Sequence, residues 1–225
     1  MQDIRKFISG FNNFRNTYFC CENSPFEALR QGQNPRTMVI ACSDSRTDPS
    51  LIMQCGPGEI FVVRNVANIV PPYEADSGFH GVSSAIEYAV KALKVANIIV
   101  LGHSGCGGID ALMHGTAVNN TEFIDKWLSV MNPVRDEVLG HFGEVHKKSC
   151  TACEMAGILA SVRNLMTFPW IARRVDAGEL DLHGWYFDME TGELLGYHPD
   201  SKAFESLSFL GHESEDSGEE QAKMI

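Results

Sequence analysis

The stretch SSAIEYAVKALKVANIIVLG, residues 83–102, decides the fold class of this chain. Its first half has the pattern of an amphipathic helix, because apolar residues recur at helical spacing: Ala85, Ile86, Ala89, Val90 and Leu93. Its second half, NIIVLG (97–102), is a β-branched apolar run, typical of a strand buried on both faces. A similar run, IFVVR (60–64), lies upstream, so the segment reads as strand, helix, strand and predicts a parallel pairing.

Further elements extend this unit into a sheet. TMVIA (37–41) reads as another buried strand, and HGWYFD and ELLGYH near the end read as a late strand and its neighbour. Helical patterns cover about 120–140 and 152–166. The sequence therefore predicts an α/β fold with an open, mostly parallel central β-sheet and helices on both faces.

The two ends of the chain differ from this body. The large apolar residues of the first segment follow one helix face, which predicts an N-terminal helical arm over residues 1–30: Ile4, Phe7, Ile8, Phe11 and Phe14. Residues 211–225 hold five acids and one lysine among serines and glycines, a composition typical of disorder. We therefore expect a single α/β domain over 1–210, which includes the arm, and an acidic, disordered tail over 211–225.

The composition limits the function classes. The 225 residues carry a formal net charge of −11 without any lysine or arginine run, which argues against a nucleic-acid partner. No apolar window is long enough to span a bilayer, so no membrane partner is expected. Seven cysteines in a chain without a recognisable signal peptide favour reduced thiols that are available to a metal. We expect a cytoplasmic protein, and the composition also allows an organelle or another enclosed compartment.

Two loops that follow buried strands carry the chemically active residues. CSDSR (42–46) follows the first strand run, and LGHSGCGGI (101–109) follows the third. If these strands are neighbours, their loops open a crevice at the carboxyl edge of the sheet, where ligands bind in such folds. Cys42, His103 and Cys106 would line this crevice. Two thiolates and one imidazole are the donors of a zinc site that keeps one open position.

Asp44 has two alternative roles beside these ligands. It can bind the metal as a fourth ligand and close the site. It can instead pair with Arg46, whose guanidinium fork suits a carboxylate, and leave the fourth position to water. In that case the carboxylate would accept a hydrogen bond from the metal-bound hydroxide and orient it. The residue pattern leaves both roles open.

Four motifs together resemble those of the β-class carbonic anhydrases. They are CSDSR, then FVVRNVAN and SSAIEYAV, and finally GHSGCGG. The similarity runs from about residue 33 to 113, resumes at 150–171 and reaches HGWYFD. The pairing of the two metal-loop motifs at this separation is highly specific. The resemblance implies a zinc lyase that converts CO2 and water to bicarbonate and a proton, and that assembles as a homodimer or a dimer-based tetramer.

The resemblance also implies a role for each residue of the site. Cys42, His103 and Cys106 would bind one Zn2+ per chain, and Asp44 with Arg46 would form the catalytic dyad that orients the zinc-bound hydroxide. Active sites would lie at the dimer interface, so that some substrate-binding residues come from the neighbouring chain. The residues that would bind the substrate are Gln33, Phe61, Val66, Tyr88 and Gly107. If the resemblance is set aside, Phe61, Val66 and Tyr88 have the pattern of ordinary core residues.

One departure from the family concerns regulation. Some members bind bicarbonate at a separate site built from a tryptophan, an arginine and a tyrosine. Here Val39 stands at the tryptophan position and Phe187 at the tyrosine position, although Arg64 is kept. We therefore expect the type without the regulatory tryptophan, in which Asp44 is held by Arg46 and the site stays open.

Two rival interpretations accompany this one. The same scaffold could act on another small substrate, such as carbon disulfide or carbonyl sulfide. A zinc-stabilised binding or redox module belongs to a different class, and the spacing of Cys150 and Cys153, with His146 nearby, points to it. Because this cysteine pair opens an apolar helical pattern, we expect buried thiols there instead.

Overall fold

The centre of the molecule is one open, six-stranded sheet. The computed structural model describes residues 2–19, 24–76, 78–115 and 121–207. Its strands are β1 Thr37–Cys42, β2 Ile60–Asn65, β3 Asn97–His103, β4 Asp181–Phe187, β5 Leu194–His198 and β6 Ala203–Ser206. They lie in the order β2-β1-β3-β4-β5-β6, with parallel pairing up to β4 and antiparallel pairing beyond it. The predicted mostly parallel, open α/β sheet is confirmed, and β6 is an additional strand.

The strand–helix–strand unit pairs differently from the sequence prediction. β2 and β3 are parallel, but each pairs with β1, which lies between them: Met38 of β1 faces Phe61 of β2 and Ile98 of β3. Every residue of β1 after Thr37 is buried, in keeping with its place between β2 and β3. The first and third strand runs are therefore neighbours, which is the condition that the predicted crevice required.

Helices flank this sheet. In chain order they are α1 Gln2–Phe19, α2 Pro25–Leu29, α3 Pro49–Ile52, α4 Gly81–Glu87, α5 Gly107–His114, α6 Ile124–Leu128, α7 Asn132–Phe142, α8 Lys147–Leu165 and α9 Pro169–Asp176. A π-helical turn, Tyr88–Ala92, extends α4. The helix predicted over 120–140 is broken into α6 and α7, and a proline in the first turn of α7 marks its start. Among the described residues, no helix combines the length and apolar character needed to cross a membrane.

One face of the sheet carries the main core. Side chains of β1 and β3 pack there against α4, α8 and α9, and these residues are fully buried: Met38, Ile40, Ile86, Ile98, Val100, Ile158, Leu165 and Ile171. Helix α8 approaches β3 so closely that a Cβ built on Gly102 would lie 2.6 Å from Cδ1 of Ile158. A side chain at position 102 would force Ile158 to move. The end of β3 is thereby held against α8.

The opposite face of the sheet is also apolar. Val39 and Ala41 of β1 and Ile99 and Leu101 of β3 form a second buried cluster, against which Met53 packs. Because both faces of β1 and β3 are covered, their sequences do not alternate between apolar and polar residues.

Helices α1 and α2 form the N-terminal arm that was predicted for residues 1–30. Aromatic rings of the two helices contact each other, with Phe19 stacked on Phe26. The predicted apolar face of α1 is exposed over most of its length, including Ile4, Phe7 and Phe11. The predicted tail over 211–225 lies outside the described residues, and the domain boundary at residue 210 stays a prediction.

Candidate metal centre

Three metal-binding side chains come together at the carboxyl edge of the sheet. Cys42 is the last residue of β1 and His103 the last residue of β3, and these strands are neighbours. Cys106 follows three residues later and caps the start of α5. The topology therefore gathers the predicted metal set at one point.

The spacing of the three donor atoms fits a tetrahedral zinc ion. The sulfurs of Cys42 and Cys106 and a ring nitrogen of His103 all lie within 4.8 Å of one another. The two Sγ atoms are 3.9 Å apart. Two thiolates that each lie about 2.3 Å from a tetrahedral zinc are about 3.8 Å apart. The residues present therefore fit the predicted ion.

His103 directs a bare ring nitrogen at this point. The residue is 1% exposed, and its Nδ1 donates a hydrogen bond to the carbonyl of Ser104 at 3.0 Å, which leaves the lone pair on Nε2. Among the described residues, this Nε2 is one of the buried side-chain atoms without a hydrogen-bond partner. Burying a polar atom unpaired costs free energy, and a bound metal removes that cost.

The protein favours thiolate formation at this point. A hydrogen bond from the Cys106 thiol lowers the pKa of Cys42, and the backbone N–H groups of Asp44 and Ala67 act in the same direction. The pKa of Cys106 is raised because it holds the shared proton, while N–H groups in the first turn of α5 oppose this rise. A sulfur and nitrogen donor set of this kind suits zinc, and zinc binding would release the remaining thiol proton.

Asp44 lies beside the three ligands and is paired with Arg46. Nε and Nη2 of Arg46 donate to Oδ1 at 2.9 Å and to Oδ2 at 2.6 Å, and the Arg46 backbone N–H donates to Oδ1 at 3.0 Å. Oδ2 lies 3.9 Å from Nε2 of His103. The guanidinium holds the pKa of the Asp44 carboxyl well below its usual range. Of the two roles left open by the sequence, this geometry corresponds to the pairing with Arg46.

The loop between His103 and Cys106 connects this pair to the metal ligands. Gly105 adopts a φ of +65°, in the left-handed region that favours glycine. Its carbonyl accepts a hydrogen bond from Nη2 of Arg46 at 3.0 Å. Arg46 is therefore held between Asp44 and the loop that carries His103 and Cys106, two members of the candidate metal set.

The candidate substrate residues fall into two groups. Val66 follows the last residue of β2, which faces Cys42 in register, and Gly107 is the first residue of α5, so both adjoin the metal centre. Phe61 instead faces Met38, four residues before Cys42 along β1. At about 3.3 Å per residue, Phe61 is about 13 Å from the metal centre.

Gln33 and Tyr88 belong to the group of Phe61. The rings of Phe61 and Tyr88 have centroids 5.9 Å apart, and Tyr88 shares an open groove of about 570 Å³ with Gln33 and Phe26. Gln33 and Tyr88 are exposed. Within one chain, the structure does not bring these three residues to the metal centre.

Two buried polar residues behind the metal loop are missing from the sequence predictions. Glu154 of α8 accepts hydrogen bonds from the backbone N–H of Cys106 at 3.0 Å and from the hydroxyl of Tyr186 at 2.8 Å. Burial raises the pKa of the Glu154 carboxyl and of the Tyr186 hydroxyl. A signal was present in the sequence, because Glu154 is the only acid in the apolar helical pattern at 152–166.

The C-x-x-C pair lies apart from any second ligand cluster. Cys153 is fully buried, and burial raises its pKa to about 12. Cys150 is half-buried, and burial raises its pKa as well. His146 caps α8, where its Nδ1 accepts a backbone N–H. Within the part of the chain that the structure describes, the metal centre at the sheet edge is the only set of three such ligands.

Comparison with known proteins identifies the family. A family model described as carbonic anhydrase matches residues 37–194. The chain is 39% identical to the carbonic anhydrase of Synechocystis sp. over 196 residues, and this alignment covers 86% of this chain and 71% of that protein. The solved β-carbonic anhydrase CcaA superposes with a TM-score of 0.86 at 37% identity, covering 92% of each chain. The chain belongs to the β-class carbonic anhydrases.

This carbonic anhydrase also resembles a solved β-carbonic anhydrase of Sordaria macrospora, with a TM-score of 0.77 and 29% identity over 87% of this chain and 97% of that one. CO2 is the substrate of the family. The cluster of Cys42, His103 and Cys106 is consistent with the zinc site typical of the β-class carbonic anhydrases.

Proposed function

We propose that this carbonic anhydrase reversibly hydrates CO2 to bicarbonate and a proton with one Zn2+ per chain, bound by Cys42, His103 and Cys106. One observation carries the proposal: three donor atoms lie within 4.8 Å of one another, beside an Asp44 oxygen held 3.9 Å from His103. Bound zinc lowers the pKa of a water molecule and thus supplies a nucleophile near neutral pH. The remaining work is done by groups of the chain itself.

Asp44 and Arg46 orient the reacting water in this proposal. The ionised carboxylate accepts a hydrogen bond from the water and aims its remaining lone pair at the carbon of CO2. Arg46 occupies the carboxylate with two N–H groups and so prevents it from binding the metal. Val66 supplies an apolar wall for CO2, and the exposed backbone N–H of Gly107 donates to the negative charge of bicarbonate.

A second copy of the chain completes each active site in this proposal. Phe61 lies about 13 Å from the metal centre of its own chain. Tyr88 contacts Phe61 and shares a groove with Gln33, so the group suits a role in the site of a neighbour. The exposed apolar face of α1 is a surface that a second copy would cover. The Sordaria macrospora β-carbonic anhydrases are tetrameric. We therefore propose a homodimer or a dimer-based tetramer with the active sites at the interface.

Two inactive variants should restore activity to each other if the site is shared. Arg46→Ala damages the metal centre, whereas Gln33→Ala damages the group lent to the neighbour. In a hybrid dimer, one site then carries both substitutions and the other carries neither. We expect the purified hybrid, made by co-expression with two affinity tags, to show about half of the wild-type activity per dimer, because a two-fold interface repeats the site twice.

A hybrid of Arg46→Ala with Asp44→Asn is the matched control. Both substitutions lie in the metal centre, so neither site of this hybrid is intact and its activity should stay at the level of the parent variants. If the hybrid of Arg46→Ala with Gln33→Ala is no more active than the mean of its two parent variants, the proposal of a shared site is wrong.

We propose, too, that the enzyme lacks the bicarbonate gate of some relatives. Val39 is fully buried in the sheet and offers neither a large ring nor a polar group. Arg64 donates to the carbonyls of Cys42 at 2.9 Å and Asp44 at 2.6 Å and to the carboxylate of Asp48 at 2.9 Å. These bonds support a role for Arg64 in bracing the β1–α3 loop, because they leave its guanidinium occupied.

Stopped-flow CO2 hydration by zinc-replete protein tests the proposed function. We expect kcat/KM to rise from about pH 6.5 to about pH 9, since two thiolates cancel the zinc charge and leave its water less acidic than three imidazoles do. The rise should not exceed about tenfold per pH unit, because one group titrates. Asp44 does not contribute: its lowered pKa keeps it ionised, and protonation requires acid below its usual range.

Added bicarbonate should inhibit as a product without making the pH profile steeper. A steep loss of activity below neutral pH that depends on bicarbonate would contradict the ungated site, and a flat profile would contradict the two-thiolate centre. Hydrolysis of carbon disulfide by the same preparation tests the rival substrate. Carbon disulfide turnover without CO2 hydration would replace the proposed function.

A further inference from the structure

Glu154 is a buried carboxylate directly behind the metal loop. Only 6% of the residue is exposed, and it is the only acid among the buried residues of α8. A buried charge is costly unless it is hydrogen-bonded. Among the described residues, no lysine or arginine forms a salt bridge with it, and its hydrogen bonds come from Cys106 and Tyr186. The placement of Glu154 therefore has a cost that the fold alone does not explain.

Each oxygen of Glu154 has a separate partner. Oε1 accepts the backbone N–H of Cys106 at 3.0 Å, and Oε2 accepts the hydroxyl of Tyr186 at 2.8 Å. Tyr186 is 2% exposed and belongs to β4, which pairs with β3. The carboxylate is therefore fixed from the sheet on one side and fixes the backbone of a metal ligand on the other.

The same loop anchors the dyad. Between His103 and Cys106, the carbonyl of Gly105 accepts Nη2 of Arg46 at 3.0 Å, and Arg46 in turn holds Asp44. The path from Tyr186 through Glu154 to the loop thus reaches both a metal ligand and the carboxylate beside it. A displacement of this loop by the loss of Glu154 would move the Cys106 sulfur and the anchor of Arg46 together.

We propose that Glu154, seated by Tyr186, is a positioning residue that holds the Cys106 ligand and the Arg46 anchor in the geometry required by the bound metal. This inference rests on the proposed function, because it concerns the same metal centre. Residues that orient metal ligands through hydrogen bonds commonly change metal affinity or activity by 10–100-fold when they are removed.

Cobalt(II) substitution and zinc affinity test this role without an activity assay. Glu154→Ala should weaken zinc binding by about 10–100-fold, measured by competition with a chelating dye, and should change the thiolate-to-cobalt absorption bands. Glu154→Gln should keep most of the affinity and the wild-type bands, because the amide oxygen still accepts the N–H of Cys106. Tyr186→Phe should give a smaller loss than Glu154→Ala, since the carboxylate keeps its bond to Cys106.

Ser161→Ala is the matched control. Ser161 is a buried polar residue of the same helix, and its hydroxyl bonds the backbone of Asn68 and Val70 instead of the metal loop. This variant should lose thermal stability but keep the wild-type cobalt spectrum and zinc affinity. It therefore separates damage to the packing of α8 from damage to the metal ligands.

Several results would overturn the inference. If the wild type binds zinc and Glu154→Ala shows the same zinc affinity and cobalt bands, Glu154 serves only the fold. A lower melting temperature of the variant does not change that conclusion. If Glu154→Ala does not fold, a wild-type zinc affinity in Tyr186→Phe leads to the same conclusion, because a small loss of affinity is expected there. If the wild type itself takes up neither zinc nor cobalt, the proposed function fails, and this inference fails with it.

Discussion

Arg46→Ala should lower kcat/KM for CO2 hydration by about 10²–10⁴-fold, the range for one positioned catalytic group, while the protein retains one zinc per chain. Arg46 provides the two side-chain donors that hold Asp44, at 2.9 and 2.6 Å. Without them the carboxylate is free to turn toward the metal ligands, since Oδ2 already lies 3.9 Å from Nε2 of His103. A fourth protein ligand would then occupy the position that water needs.

Stopped-flow kinetics and elemental analysis of zinc measure the two halves of this prediction. Arg135→Ala is the control, because it removes a guanidinium from another carboxylate, Asp136, at 2.8 Å, and should leave activity unchanged. Arg46→Lys should recover little, since an ammonium keeps the charge but lacks the planar fork. An Arg46→Ala enzyme with full activity would refute the dyad, and one that has lost its zinc would show that Arg46 supports metal binding instead.

Removal of zinc should abolish activity and lower the melting temperature by about 8–16 °C. A ligand at 1,000 times its dissociation constant stabilises the folded state by about 4.1 kcal/mol. For a chain of this size, each kcal/mol corresponds to about 2–4 °C. The effect has a structural cause: Cys42 and Cys106 lie inside a buried cluster with Ile109 and Leu112, so loss of the ion leaves two cysteine sulfurs and a bare imidazole without a metal in the core.

Calorimetry before and after dialysis against a chelator measures this shift. Added Zn2+ should restore both activity and melting temperature, whereas Mg2+ should restore neither, because it prefers oxygen ligands. Cys150→Ser is the matched thiol control and should bind zinc like the wild type, since Cys150 lies outside the metal set. Full activity in chelated protein verified to be zinc-free would exclude a zinc enzyme.

The sequence predicts the sheet well but not all of its pairing. The apolar runs at 37–41, 60–64 and 97–102 lie within β1, β2 and β3, because burial on both faces leaves a clear pattern. The insertion of β1 between β2 and β3 is a tertiary choice, and local periodicity does not encode it. The short edge strand β6, Ala203–Ser206, was missed because only two of its four residues are partly buried, so its pattern is weak.

The metal set is predictable for a different reason. Cysteine and histidine are rare, and their spacing in two loops that follow strands is specific, so Cys42, His103 and Cys106 can be named before any coordinates. Glu154 and Tyr186 have no such spacing, because helix α8 and strand β4 bring them to the metal loop only through packing. The distance of Gln33, Phe61 and Tyr88 from the metal centre likewise depends on three-dimensional structure.

The close approach of Gly102 to Ile158 restricts how this enzyme can evolve. Position 102 directly precedes His103 of the candidate metal centre, and position 158 lies one helical turn from Glu154, so both adjoin this centre without belonging to it. A larger residue at 102 is tolerated only after the side chain at 158 has become shorter. In diverging lineages we therefore expect a larger residue at 102 only together with a shorter one at 158, so that substitutions at the two positions are correlated.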